Sequence, residues 1–298
     1  MLSRSAWLHL RIPFSFFLLP IFLFALSLSP NLNQNRLLWV FLIVHFLLYP
    51  ASNGFNSYFD KDEKSIGGLK NPPPVNKGLY YLALAFDALA IMLGIMKVNW
   101  PFGAMLFVYG LASKAYSHPS VRLKKFPVAG WIITGFFQGF FTVLMCYIGI
   151  NDFDVETALT PKILWAGAIA SGMLWGNYPM TQIYQHEEDL KRGDITLSIK
   201  LGVIGTFYFT LAFFGLATLG FMTFFQTYYE TKFAFYFLAA LSPVAIYFLY
   251  WFFRVRRNVA LADYAHTMWL NFISATCLNG FFIYFFLDTA NVLNFLRG

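Results

Sequence analysis

The sequence predicts an all-helical, polytopic membrane protein with about nine transmembrane helices, and three observations carry that prediction. The first is composition: of 298 residues, 58% are hydrophobic and 21% aromatic, while only 12% are charged. A soluble domain carries about 25% charged and about 45–50% apolar residues. No water-soluble fold of this length has enough polar surface to cover so much apolar material. The second is the recurrence of apolar stretches, each near the ~20 residues a helix needs to cross ~30 Å of hydrocarbon. The third is the placement of the basic residues in the short segments between those stretches. The net charge of +7 therefore reads as membrane topology and not as a surface for a nucleic-acid backbone.

The apolar stretches run 13–29, 37–59, 79–98, 100–116, 128–150, 163–184, 199–225, 233–253 and 267–287. The first follows Arg4 and Arg11 like a signal peptide, but Pro13 and Pro20 interrupt it and further spans follow, so it reads as an uncleaved helix. The third and fourth are separated only by Lys97-Val-Asn-Trp100-Pro101, a tight turn at the interface. With the N-terminus cytoplasmic, sixteen basic residues fall on the inner side, in groups that include Lys61 and Lys64, Arg122 and Lys124, and Arg254 to Arg257. The outer side keeps five: Arg36, Lys97, Lys162, Lys232 and Arg297. That bias orients the chain N-in and C-out. No shift in composition marks a second domain, so residues 1–298 read as one integral-membrane domain. Cys146 and Cys277 lie inside apolar runs with no metal or disulfide spacing, and read as small buried hydrophobes.

The polar residues of interest lie at the inner ends of spans two and six. Span two ends in Asn53-Gly-Phe-Asn56-Ser-Tyr58-Phe-Asp60-Lys-Asp62-Glu63-Lys64. At about 100° per residue, Asn53, Asn56 and Asp60 share one helical stripe. Span six ends in Gln182-Ile-Tyr184-Gln185-His186-Glu187-Glu188-Asp189, where Gln182, Gln185, His186 and Asp189 form a matching stripe. In each segment an amide precedes a tyrosine by two residues, and acids follow four and five residues later. Such internal symmetry in a membrane fold places a site at the interface of the repeats. Carboxylate and amide oxygens suit Mg²⁺, which also takes substrate phosphate oxygens. Two acidic rims facing across a pocket can clamp a diphosphate through metal ions and stabilise it as a leaving group. Pairing with nearby lysines in solvated loops accounts for the acids singly, but not for the intramembrane amides, which are costly without partners. The loop after span four, Lys114-Ala-Tyr116-Ser-His-Pro-Ser-Val-Arg122-Leu-Lys124-Lys125, supplies basic groups for the other half of such a clamp, or ordinary positive-inside charge.

These residues resemble the UbiA superfamily of intramembrane prenyltransferases, from Leu8-His-Leu-Arg-Ile-Pro13 in the first helix to the ninth span. Asn56 and Asp60 match the start of its first aspartate motif. Tyr116-Ser-His-Pro-Ser-Val-Arg122-Leu-Lys124 looks like its basic loop, and Asp189 through Gly193 to Thr196-Leu-Ser-Ile-Lys-Leu-Gly202 looks like its second motif. Two positions depart from the pattern: Lys64 stands where an aspartate usually closes the first motif, and Gln185 where one usually opens the second. Either neighbouring acids take over as ligands, or Lys64 meets the diphosphate directly. The resemblance implies transfer of a prenyl or polyprenyl group from its diphosphate to a lipophilic acceptor, often aromatic, through an allylic cation. The expected catalytic residues are Asp60, Asp189 and Lys64. Asn53, Asn56, Lys114, Tyr116, Arg122, Lys124, Gln182 and Gln185 are expected on the diphosphate, and Asn56, Asp60, Asp62, Glu188 and Asp189 on Mg²⁺.

An allylic cation needs a dry, aromatic cavity; Tyr58, Tyr116, Tyr178 and Tyr184 are the candidates beside the motifs. Asp87, inside span three, either serves the site or pairs with a neighbouring helix. The competing readings are a terpene cyclase, which needs no acceptor, a non-catalytic prenyl-lipid binder, and a transporter. The last, a transporter or channel, predicts charge near the bilayer midplane or broken helices at matching places in two halves, whereas the acids here sit at one rim. A short chain without a transit peptide points to a bacterial inner membrane, with the site on the cytoplasmic side.

Overall fold

The computed structural model describes residues 3–290; Arg297, counted above on the outer side, lies outside the described residues. The described residues form nine helical rods that correspond one to one with the apolar stretches. They are α1 (Arg4–Ser27), α2 (Gln34–Asp60), α3 (Lys77–Lys97), α4 (Trp100–Ser117), α5 (Pro127–Asn151), α6 (Pro161–Gln182), α7 (Leu197–Tyr228), α8 (Lys232–Arg257) and α9 (Tyr264–Thr289). Seven are long and apolar enough to cross a membrane; α4 and α6 are the two that are not. Those two carry cavity-facing polar residues, including Ser113, Tyr116, Tyr178, Thr181 and Gln182, which lowers their mean hydropathy without shortening them.

Polar side chains fix several rod starts by accepting hydrogen bonds from first-turn amides: Asn33 from Arg36, Asn99 from Phe102, Thr160 from Ile163, Thr196 from Ile199 and Asp263 from His266. Such caps satisfy amide donors that have no partner within the helix. Four rods are not regular; α7 is kinked at Gly202, whose φ of 68° and ψ of 171° are not helical. In α1, Arg11 adopts a left-handed conformation (φ 48°) just before Pro13, and 12–18 form a tighter 3₁₀ segment. α2 and α5 each contain a wide π turn, at Val44–Leu48 and Phe136–Phe141.

α6 packs along α7, α3 against both α2 and α4, and α9 against α1 and α8. An aromatic core joins α1, α7, α8 and α9, in which Phe24 stacks on Phe282 with ring centres 4.9 Å apart and Phe221 on Phe237 at 4.7 Å. Large apolar side chains also face outward, among them Met96, Trp100, Leu216 and Ile246, each at least 65% exposed; on a bundle of apolar rods this is the lipid-facing surface. The polar segment after α2 folds back onto α1. Its Pro73 and Pro74 carbonyls accept from His9 (2.7 Å) and Ser5 (2.6 Å), and Gly67 lies so close to Phe14 that a side chain at 67 would meet the ring.

Candidate active site

The polar ends of α2, α4 and α6 enclose a cavity of about 200 Å³. From α2 come Asn53, Asn56 and Asp60, the predicted stripe, all on the lining. The helix then stops. Lys61 turns left-handed (φ 52°), and this turn carries the buried Asp62 into the cavity while Lys64 leaves it. Lys64 pairs instead with Glu187 on the surface, both side chains more than half exposed. The expectation that Lys64 meets the diphosphate is therefore corrected by placement: one helical turn beyond Asp60 would share its face only if the helix continued.

The second rim is likewise not one helical stripe. α6 ends at Gln182, Ile183 to Gln185 break the rod, and a short helix, His186–Arg192, restarts after Gln185. Gln182, Gln185 and Asp189 line the cavity, but His186 turns away to Ser198 Oγ at 2.7 Å. Glu188, expected on the metal, lies off the lining and faces Lys191 at 3.6 Å. Lys114, expected on the diphosphate, is not on the lining either. It forms an ion pair with Asp87 of α3 inside the bundle, its ammonium 5.1 Å from the centre of the Phe55 ring. Asp87 thus has an interhelical partner, as one of its two readings held.

The basic loop does reach the site. Lys124, with its side chain 6% exposed, holds Asp60 and lies 3.4 Å from Asp194. Arg122 donates two hydrogen bonds to Asp194, at 2.7 and 2.8 Å, and approaches Asp60 at 3.5 Å. Arg192 joins the rims, donating to Asp62 and, at 2.5 Å, to Asp189. Burial and the neighbouring Asp60 push the Asp62 carboxyl above its usual range, against Arg192. Burial pushes Asp189 up to about 7, opposed by Arg192 and Lys124. Burial would also raise Asp194, but the Arg122 hydrogen bonds, with Lys124 and Arg192, hold it below the carboxylate range.

Three residues here escaped the sequence reading: Arg11, Arg192 and Asp194. Arg11 is partly buried on the cavity lining, and its guanidinium donates to the carbonyls of Gly67 (3.1 Å) and Asn53 (3.3 Å), leaving Nε without a partner. Its left-handed backbone, costing about 1–2 kcal/mol for a residue with a Cβ, aims the side chain inward. The signal was Arg11 two residues before Pro13. For Arg192 and Asp194 it was a cation and an acid flanking Gly193, whose positive φ of 75° ends the short helix.

Beyond the charged rim the lining is aromatic and apolar at Tyr109, Ile133, Phe137 and Met268, with Ser113, Thr134 and Gln138 among them. The Tyr116 and Tyr178 hydroxyls touch between the two zones, and Gln182 Nε2 donates to Tyr178 at 3.1 Å. Tyr184 lines the cavity, whereas Tyr58 packs against Phe59 and Tyr80 outside it. The donor set fits Mg²⁺: the Asn56 amide, three cavity-lining carboxylates (Asp60, Asp62 and Asp189), and the Gln182 Oε1 acceptor, buried without a partner, are all hard oxygens. Among the described residues no three His, Cys, Asp or Glu side chains converge on one point, because Lys124 and Arg192 stand among the carboxylates.

A family model described as the UbiA prenyltransferase family matches residues 16–273. The chain belongs to this family. Solved structures share its fold. A UbiA homologue from Archaeoglobus fulgidus bound to GPP and Mg²⁺ matches at 16% identity and TM-score 0.64, covering 96% of this chain and 99% of that one. The same homologue bound to DMAPP and Mg²⁺ gives 16% and 0.65, covering 97% and 99%. A digeranylgeranylglyceryl phosphate synthase gives 18% and 0.59, covering 94% and 97%. Comparison with curated proteins finds no match.

Proposed function

We propose that the chain transfers a prenyl or polyprenyl group from its diphosphate to a lipophilic acceptor of aromatic type. The observation that carries this reading is one cavity whose lining joins cations, buried carboxylates and amides to aromatic and apolar side chains. That combination fits a ligand with an anionic head and a hydrocarbon tail. The charged mouth lies at the end of the bundle that the positive-inside rule assigns to the cytoplasm, supporting a multi-pass protein of a bacterial inner membrane.

The diphosphate meets Lys124, Arg192 and Arg11, with Arg122 held behind them on Asp194, and the amides of Asn53, Asn56, Gln182 and Gln185 complete its hydrogen bonds. Charge-assisted contacts of this kind strengthen as negative charge builds on the leaving oxygen. A divalent ion such as Mg²⁺, held by Asn56, Asp60, Asp62 and Asp189, would supply Lewis-acid stabilisation of the same leaving group. Cleavage of the C1–O bond sends the electron pair to the diphosphate and leaves an allylic cation facing Tyr109, Phe137 and the Tyr116–Tyr178 pair. Aromatic faces stabilise such a cation, and the apolar wall keeps water from quenching it. The acceptor forms the new carbon bond and loses a proton.

The test is diphosphate release by the purified protein from labelled prenyl diphosphates of several lengths, with Mg²⁺ or EDTA, against an acceptor panel. Mg²⁺-dependent release that yields a prenylated acceptor, and that is lost in Asp60→Ala and Asp189→Ala, supports the transferase. Release without any acceptor favours a cyclase. Binding without release at every length refutes turnover and leaves a prenyl-lipid binding protein.

A further inference from the structure

Arg192 touches one carboxylate after α2, Asp62, and two after α6, Asp189 and Asp194. Its guanidinium donates from Nη1 to Asp62 Oδ1 and from Nη2 to Asp189 Oδ1 (2.5 Å), while Nε lies 3.4 Å from Asp194 Oδ2. The arginine side chain is 17% exposed; those of Asp62, Asp189 and Asp194 are 5%, 9% and 1% exposed. Its short helix ends immediately after it, at Gly193. A guanidinium stays charged at any working pH and carries five donors in a fixed fork. It is therefore a permanent cation on the very oxygens that a divalent ion bridging the rims would need. Lys124 and Arg122 join the rims at a second place, between Asp60 and Asp194, and leave Asp62 and the Asp189 oxygen to Arg192.

We propose that Arg192 is a positioning residue that couples divalent-cation binding to diphosphate binding, an inference that rests on the diphosphate reading above. In this structure the guanidinium satisfies Asp62 and Asp189, and a divalent ion arriving alone would have to displace it from both. An incoming diphosphate offers the guanidinium a bidentate anionic partner. Arg192 then turns from the carboxylates to the phosphate oxygens, and the carboxylates become free to bind metal. By linkage, metal and diphosphate raise one another's affinity by the same factor. No bond is made or broken; one set of charge-assisted hydrogen bonds is exchanged for another.

Detergent-purified full-length protein, wild type, Arg192→Gln and Arg192→Lys, tests this through binding. Mn²⁺ binding is followed by the paramagnetic signal of the free ion. Binding of a labelled, non-ionising geranyl thiodiphosphate is followed separately, in EDTA and in Mg²⁺. The expected result is that Arg192→Gln binds Mn²⁺ alone at least ~10-fold tighter than wild type, and the analogue in EDTA at least ~10-fold weaker, each a shift of about one decade in Kd. Arg192→Lys keeps the charge but loses the fork, and is expected to fall between. Because a lysine preserves the charge balance, it decides the question if Arg192→Gln does not fold. Mn²⁺ affinity no tighter in either variant, with wild type binding the analogue normally, overturns the coupling and leaves the diphosphate reading intact. Failure of wild type to bind the analogue with any metal overturns that reading, and the coupling with it.

Discussion

Replacing Lys114 with Met separates two roles that its position permits. The sequence places Lys114 just before the basic loop, as a diphosphate ligand; the structure pairs it with Asp87 between α4 and α3, off the cavity lining. The two side chains are 21% and 11% exposed, so solvent screens the pair little. Removing one partner of a buried ion pair leaves the other charge uncompensated, at about 3–5 kcal/mol. Protonation is the alternative for Asp87, and holding a carboxyl with an ordinary value near 3.9 neutral at pH 7 costs about 4 kcal/mol. Both routes give a similar loss, so Lys114→Met is expected to destabilise the detergent-purified protein by about 3–4 kcal/mol. Removing both charges, in Asp87→Leu with Lys114→Met, removes the desolvation cost together with the attraction, and most of the stability is expected to return. Thermal unfolding of the two single variants and the double variant closes the cycle, and prenyl diphosphate affinity is measured on the double. A double variant that regains stability but binds the diphosphate tenfold more weakly would falsify the structural assignment and restore Lys114 to the ligand set.

Lys64→Ala is expected to leave diphosphate affinity unchanged, since Lys64 pairs with Glu187 at the surface, whereas Lys124→Met is expected to cost about 1.5–3 kcal/mol of binding through a lost charge-assisted contact; equal losses in a titration of both variants would contradict the placement. Because burial pushes Asp189 up to about 7, protons compete with a divalent ion for it. Mn²⁺ affinity should therefore fall as pH drops from ~8 to ~6, by up to ~10-fold per unit below ~7, and Asp189→Asn should flatten the profile. Gly139→Ala is expected to destabilise by about 1–3 kcal/mol, because its added Cβ would lie 2.5 Å from Ser171 Cα of α6. Backbone cannot yield as a side-chain tip does, so unaltered thermal unfolding would show that α5 and α6 are less tightly packed there.

The parts of the molecule that follow from periodicity were legible in its sequence. Each span must be apolar over about twenty residues, so nine stretches became nine rods, and Asn53, Asn56 and Asp60 reached the cavity along one stripe. What was not legible depends on single backbone conformations that periodicity does not encode. The left-handed turn at Lys61 ends the first stripe, exchanging Lys64 for Asp62. The break at Ile183 to Gln185 rotates the second segment, so that Asp189 enters the cavity while His186 finds Ser198. The Arg11 turn has the same character, since a cation near the N-terminus reads as topology until its backbone aims it inward. Lys114 failed for another reason: its partner Asp87 lies on a different rod, and a contact between rods leaves no mark in local spacing.

The charges around the cavity mouth bear on why a metal would be needed at all. Asp60, Asp62, Asp189 and Asp194 are buried, and Arg122, Lys124 and Arg192 touch them directly; Arg11 lies on the same lining, its guanidinium held by carbonyls and not by an acid. Four negative and four positive groups leave the empty mouth close to neutral. A diphosphate entering alone must draw cations away from the carboxylates and leave those uncompensated in a buried place, where an unpaired charge costs several kcal/mol. A divalent ion entering alone must displace resident cations from the same carboxylates and strand those instead. Were both to enter, the displaced cations would find the anion and the released carboxylates would hold the metal, so no buried charge would be left without a partner. The balance of resident charges thus favours joint entry. It also gives a reason for the excess of arginine here, because a guanidinium can leave one bidentate partner for another without losing its proton.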